Sequence, residues 1–342
     1  MKVIIQIPCF NEEKSLPITL KELPRQLEGV DEVEWLIIND GSQDKTIEVA
    51  IDNGVNYVIS HINNLGLAQA FLSGVTASIH FGADIIVNTD ADNQYCAEDI
   101  QKLVDPILNG EAEYVIGTRP VKDIEHWSSI KKKLQFFGSW VVRKAAQADV
   151  ADAPSGFRAI TRSSAMRLHV FNRYTYTIES IIQAGHLKIP ILNIPIRTNK
   201  EMRPSRLISG IPSYLKRSFS TIFRSFMTYD SMRFFLIPAV ALLGITIILG
   251  IRYLYFFSIG EGKGHVQSLI LALAIFVFST ALFIVGFLAD LIAVNRQILE
   301  GVDYRLRKLE ANQVEKTYEH TTVFNRAYLI YMRDGMKSPR PS

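Results

Sequence analysis

The chain has 342 residues, 48% of them hydrophobic, and a formal net charge of +3. That length is long for one domain and short for two large ones, and the charge is too small to argue for a nucleic-acid partner. Its two cysteines, Cys9 and Cys96, are too few for a disulfide framework and too far apart for metal-ligand spacing, which fits a reducing compartment.

From the N-terminus, short β-rich runs alternate with helical ones. Residues 2–8, "KVIIQIP", read as a buried strand that starts directly after Met1, so no signal peptide is expected. Leu16, Leu20, Leu23 and Leu27 have helical spacing and predict a helix over 12–27. A second strand is expected in "EVEWLIIND" and a third in "VNYVIS". Leu67, Ala70, Phe71, Gly74 and Ala77 predict a helix over 66–81. "ADIIVNTD" gives a fourth strand. A helix over 97–108 follows, opened by Glu98 and Asp99 as suits a positive helix end, and "AEYVIGT" gives the fifth strand. Such alternation implies an α/β fold: a mostly parallel sheet with helices on both faces.

Ligands of such sheets bind at the carboxyl ends of the strands, and the polar residues gather there. Strand one is followed by Pro8-Cys9-Phe10-Asn11-Glu12, strand two by Asn39-Asp40-Gly41-Ser42, strand four by Thr89-Asp90-Ala91-Asp92, and strand five ends in Gly117-Thr118-Arg119. Each alone has turn or cap chemistry. Together they favour a site. A strand that ends at Asp90 and Asp92 can aim one carboxylate at a nucleotide and the other at a metal. Gln94 offers an amide oxygen two residues on. A hard divalent cation bridging a diphosphate needs only one or two protein carboxylates.

The ordered set "IPCFNEE", "INDGSQDKT", "NTDADNQY", "GTR" and "SGFRAI" resembles the motifs of family 2 glycosyltransferases of the GT-A, Rossmann-like fold, over about residues 3–207. With the apolar C-terminal stretches, the chain is similar to the polyprenyl-phosphate glycosyltransferases, relatives of dolichol-phosphate mannose synthase. The resemblance implies that Pro8, Phe10 and Glu12 hold the nucleoside and that Ile38 and Asp40 meet base or ribose. It puts Asp90 and Ala91 at ribose and diphosphate, with Asp92 and Gln94 as ligands of Mg2+ or Mn2+. Arg119 would lie near the phosphates of donor or acceptor. Arg158 would stand beside the acceptor or be structural; both readings are open.

Two departures narrow the class. None of Trp35, Trp127 and Trp140 sits in the Gln-x-x-Arg-Trp context of processive members, so no polymer synthase is expected. Where hydroxyl-glycosylating relatives place an Asp after a Glu as base, the matching stretch here is Glu179-Ser180. A hydroxyl needs a base, whereas a phosphate monoester, with a second pKa of about 6, is largely ionised already. It needs cations instead. In "PIRTNKEMRPSRL", Lys200, Ser205 and Arg206 fall on the arginine, serine and lysine of the mannose-synthase stretch Arg-x-x-Gly-x-Ser-Lys. Arg203 falls on its glycine, a departure.

Ile211, Leu215, Phe219, Ile222, Phe223 and Phe226 recur three or four apart, which predicts an amphipathic helix at a membrane interface. Residues 234–257 and 266–289 are each long and apolar enough to span a bilayer. Their short connector makes them a hairpin with both ends on one side. Arg233 before it and Arg296, Arg305, Arg307 and Lys308 after it predict that side to be cytoplasmic. Leu288, Ile292, Asn295, Leu299, Val302, Leu306 and Leu309 step by four and three, a coiled-coil seam that hints at a homo-oligomer.

The expected organisation is therefore a cytoplasmic catalytic domain over 1–207, an amphipathic juxtamembrane helix over 208–233, two transmembrane helices over 234–290 and a cytoplasmic tail over 291–342. The expected activity is metal-dependent, inverting transfer of a sugar from a nucleotide sugar to a polyprenyl phosphate at the lipid bilayer. A uridine donor is favoured, with GDP-mannose open. The alternatives are transfer to a hydroxyl of a lipid-linked glycan, with Glu179 as base, and a catalytically idle nucleotide-binding membrane scaffold.

Overall fold

Strand β1 (Lys2–Cys9) is apolar along nearly its whole length because both of its faces are covered: Val3, Ile4, Ile5 and Ile7 have no exposure. Each such side chain contributes about 1.5–3 kcal/mol by burial. The computed structural model describes residues 1–120, 129–169, 176–199, 223, 227, 231–313, 323–324, 326–333 and 336–337. They divide into two compact units, one of Met1–Ile222 with Asp303–Ser342 and one of Phe223–Val302.

The first unit is built on a mixed sheet. To β1 are added β2 (Glu32–Asn39), β3 (Tyr57–His61), β4 (Ile85–Asn88), β5 (Tyr114–Thr118), β6 (Arg158–Thr161) and β7 (Ile191–Pro195). The C-terminal strands are β8 (Val323–Phe324), β9 (Ala327–Met332) and β10 (Met336–Lys337). The order is β10-β9-β3-β2-β1-β4-β6-β5-β7, with β8 paired to β9. Strands β3, β2, β1 and β4 run parallel, as do β5 and β7, while β6 runs against both of its neighbours and β9 against β3. Five of the strands are those expected from the sequence, with ends shifted by a few residues.

The helices of this unit are α1 (Leu16–Glu22), α2 (Thr46–Asp52), α3 (Leu67–His80), α4 (Ile100–Leu108), α5 (Ser129–Ala146), α6 (Arg162–Arg167) and α7 (Thr177–His186). Helix α1 is shorter than the leucine spacing predicts. Leu23 takes an extended backbone, φ −68° and ψ 135°, because Pro24 follows and disfavours the helical conformation before it. Helix α3 lies close on the sheet: a Cβ at Gly74 would stand 2.5 Å from Gln6 Oε1 and 2.8 Å from Ile38 Cδ1.

The sequence leaves residues 291–342 as a separate tail. The structure corrects this: β9 pairs with β3 from Tyr57↔Met332 to His61↔Ala327 and covers an edge that would otherwise be open. The helix before it also ends in this unit. Asp303 Oδ2 lies 2.7 Å from His169 Nε2, and the Arg167 guanidinium lies over the Tyr304 ring.

The second unit holds α8 (Ser231–Ser258), a 3-10 turn (Gly262–His265) and the start of α9 (Val266–Gln313). Both helices are long and apolar enough to cross a membrane. They approach through small residues: Ser279 Oγ donates to Ala239 O at 2.8 Å, and a Cβ at Gly286 would stand 2.9 Å from Phe235 Cβ. With 48 residues, α9 is about 72 Å long, more than twice a hydrocarbon core of about 30 Å. The heptad side chains Ile292, Leu299, Val302, Leu306 and Leu309 are exposed along it. The expected juxtamembrane helix falls almost entirely outside the described residues.

Candidate active site

The topology explains why the candidate residues converge. Strands β1 and β4 are neighbours, so the loops after Cys9 and Asn88 leave the sheet side by side, at the point where the strand order reverses. Strand β6 is antiparallel, so the residues entering it, 152–157, stand at the same edge as the exits of β4 and β5.

Asp90 is half-buried in this edge, and its carboxyl is pushed up to about 7. Burial is the main cause and the Asp92 charge adds to it. Arg119 and Arg158 pull the other way, while Glu12 raises it further. A Cβ at Gly156 would stand 3.2 Å from both Asp90 oxygens and 3.0 Å from Tyr176 Oη, so only glycine lets this loop come so near. Gly156 is held by Tyr95 Oη, which accepts from its N–H at 2.9 Å, and by Asn88 Nδ2, which donates to its carbonyl at 2.8 Å. Tyr176 stacks on Phe71 and Tyr95 on Phe157.

Arg119 is fixed by Asp152, a residue the motif reading passes over. Nε and Nη2 donate to the two carboxylate oxygens at 2.7 and 3.0 Å. Burial opposes the Arg119 charge, but Asp152 more than restores it, and the guanidinium is held well above its ordinary pKa. The signal for Asp152 lay in "DAPSGFR", where an acid precedes a turn directly upstream of the glycine and arginine already singled out.

Other candidates sit differently from one another. Arg158 has no exposure and donates to Ser155 O, Tyr114 Oη, Thr177 O, Ser180 Oγ and Ala153 O. Of its two readings, the structural one describes these contacts. Glu12 is buried and accepts from Ser15 Oγ. Pro8 is buried at the end of β1, Phe10 is 39% exposed beyond it, and Ala91 is buried. Ile38 has no exposure and faces α3 rather than an open cleft. Asp40 turns inward: its carboxylate lies 2.7 Å from His61 Nδ1 and accepts from Leu65 N and Gly66 N at 2.8 and 2.9 Å, holding the entry to α3. Glu179 is buried in the first turn of α7. Lys200 and Arg206 lie outside the described residues.

The donor set suits a divalent cation shared with a substrate. Among the described residues no group of three or more His, Cys, Asp or Glu could hold a metal ion by itself. Burial first, and the Asp92 charge second, raise the Asp90 pKa toward neutrality, and Gln94 follows in the same loop. A cation here would offset the clustered negative charge and take its remaining ligands from a diphosphate and water.

Comparison with known proteins matches residues 4–174 to the model of Glycosyl transferase family 2. A UDP-N-acetylglucosamine–dolichyl-phosphate N-acetylglucosaminyltransferase of Methanococcus voltae is 31% identical over 57% of this chain and 85% of its own length. An undecaprenyl-phosphate mannosyltransferase of Micrococcus luteus is 26% identical over 62% of this chain and 89% of its own. Among solved structures, glucosyl-3-phosphoglycerate synthase from Mycobacterium tuberculosis, in complex with Mn2+, UDP and glucosyl-3-phosphoglycerate, aligns with a TM-score of 0.50 at 19% identity. It covers 67% of this chain and 79% of that one, and shares the fold. An acidic pair at the β1–β4 crevice and a family match that runs through it lead to one conclusion: the chain belongs to glycosyl transferase family 2 and is a glycosyltransferase.

Proposed function

We propose that the enzyme transfers a sugar, with inversion, from a nucleotide sugar to a polyprenyl phosphate at a membrane surface. The observation that carries the donor half is the Asp90–Asp92 pair at the β1–β4 crevice, where a divalent cation entering with a diphosphate would offset the clustered negative charge. The acceptor half rests on relatives named for dolichyl and undecaprenyl phosphates, and on two apolar helices in the same chain. A uridine donor agrees with the name of the Methanococcus relative, and GDP-mannose stays open.

In this reading a phosphate oxygen of the acceptor attacks the anomeric carbon. The bond from that carbon to the β-phosphate oxygen breaks, and the nucleoside diphosphate leaves with the electron pair. The acceptor phosphate is already ionised, so no base has to remove a proton. Asp92 and Gln94 would hold the cation, which when bound neutralises charge on the departing diphosphate. Arg119, kept charged and oriented by Asp152, faces anionic phosphate groups, and Lys200 and Arg206 lie in the segment that would meet the acceptor. The basic residues flanking the apolar helices favour a catalytic unit on the cytoplasmic face.

The test is to incubate the full-length protein with dolichyl or undecaprenyl phosphate and a panel of nucleotide sugars, with and without a chelator. The expected product is a sugar joined through phosphate, identified by mass and lost on chelation. Glycolipids joined only through a hydroxyl, together with loss of activity in Glu179→Gln, would overturn it.

A further inference from the structure

The loop that carries Asp90, Ala91, Asp92, Asn93 and Gln94 has its backbone held by two residues, and neither belongs to a recognised motif. From α1, Thr19 Oγ1 donates to the Ala91 carbonyl at 3.0 Å, across 72 residues of sequence. Asn199 Nδ2 donates to the Asn93 carbonyl at 3.1 Å and to Glu22 Oε2 of α1 at 3.4 Å, and Asn199 N–H donates to the Gln94 carbonyl at 2.9 Å. The carbonyls of 91, 93 and 94 are thus each occupied by a donor from another element.

This arrangement has a physical need behind it. Asn93 sits at φ 55°, a left-handed turn that asparagine accepts more readily than most residues. Ala91 and Asn93 are buried, and a buried carbonyl without a donor is disfavoured. Thr19 is itself buried, and its single hydroxyl proton has a competing acceptor in its own helix, Ser15 O at 3.3 Å. The shorter bond goes across to the loop. Asn199 is the last residue of a short antiparallel run: Cys96 N–H donates to Arg197 O at 3.3 Å, and Tyr95 bridges to Thr198. Arg197 anchors the far end of that run, with its N–H and guanidinium on the buried Asp99. Helix α1 and the 197–199 run, joined to each other through Asn199 and Glu22, therefore both hold the loop backbone.

We infer that Thr19 and Asn199 are positioning residues for divalent-cation binding: they fix the loop backbone from which the Asp92 and Gln94 side chains reach the ion. The inference rests on the reading of Asp92 and Gln94 given above. Groups that orient metal ligands in this way are worth roughly 10–100-fold in metal affinity. Thr19→Val keeps the shape and removes the donor, Thr19→Ser keeps the donor, and Asn199→Ala removes the bond to Asn93.

The experiment measures Mn2+ binding to the full-length protein in detergent, in the presence of UDP, from the loss of the free-ion electron paramagnetic resonance signal. Thr19→Val and Asn199→Ala should each raise the Mn2+ Kd about 10-fold. Thr19→Ser should restore it, and melting temperatures separate this effect from unfolding. If both variants bind Mn2+ as the parent does while Asp92→Ala does not, the positioning inference fails and the functional reading stands. If the parent binds no Mn2+ even with UDP, both fail. If Thr19→Val does not fold, Asn199→Ala alone decides, by the same shift or its absence.

Discussion

A guanidinium with no exposure is held by acceptors at its nitrogens, and Arg158 finds three carbonyls and two hydroxyls, with at least one acceptor on each of Nε, Nη1 and Nη2. It ties the turn before β6 to Tyr114 of β5 and to the start of α7, and so supports the loop against which Asp90 rests. Arg158→Met should destabilise the protein by about 4 kcal/mol, because the acceptors stay buried without donors. Denaturant unfolding in detergent reads that loss. Asp99 makes a second residue-scale case, and here pH is the lever. Burial alone would raise its pKa, but hydrogen bonds from Arg197 and Lys102 outweigh this and hold it at about 2. A carboxylate depressed in the folded state contributes stability above its unfolded pKa of about 3.9 and loses it as pH falls through the folded value. The stability gap between parent and Asp99→Asn should therefore be full at neutral pH, narrow from about pH 4 and close near pH 2.

At the scale of elements, α7 meets the end of α5 closely at Gly185. A Cβ there would stand 1.9 Å from the Ala146 carbonyl oxygen, so α7 crosses α5 where no side chain fits. Helix α5 also carries Ser139, whose Oγ accepts from Ala153 N–H at 3.3 Å in the segment leading to Gly156. Gly185→Ala must push backbone from backbone and should destabilise by about 3 kcal/mol or more, with Gly138→Ala, in open space, as the control. Thermal melts of the two variants distinguish them. The same elements show what the sequence can convey. Strands β1 to β5 are legible because each is a continuous apolar run ending in polar residues. Strand β6 is not, since "RAIT" begins with an arginine whose partners include two distant segments, at Tyr114 and at Thr177 and Ser180. Asp90, Asp92 and Arg119 are legible as strand-end residues. Thr19 and Asn199 are not: a threonine in a helix and an asparagine after a strand look ordinary until the fold brings carbonyls to them. Ile38 and Asp40, read as nucleoside contacts from their motif, have side chains that pack on α3 and at its entry.

For the whole molecule the decisive fact is where the chain goes after the sheet appears finished. It leaves at β7, passes through two helices able to cross a membrane, and returns as β9 to pair with β3 of the same sheet. A strand cannot hydrogen-bond to a sheet on the other side of a bilayer. The number of crossings between β7 and β9 is therefore even, and two helices satisfy it. If both helices cross, the connector around Gly262–His265 is expected on the membrane face opposite the catalytic unit. This is open to a labelling experiment in intact cells with a membrane-impermeant maleimide, in a Cys96→Ser background that removes the half-buried native thiol. Cys9 is buried and its thiol is pushed up by burial and by the nearby Glu12, Asp44 and Asp90, so it stays unreactive. With the catalytic unit cytoplasmic, Lys263→Cys should label from outside and Arg333→Cys, beside β9, only after permeabilisation. Labelling of both from outside would place the sheet on the wrong face. Labelling of neither before permeabilisation would show that the helices do not cross, and the proposed lipid acceptor would lose its structural support.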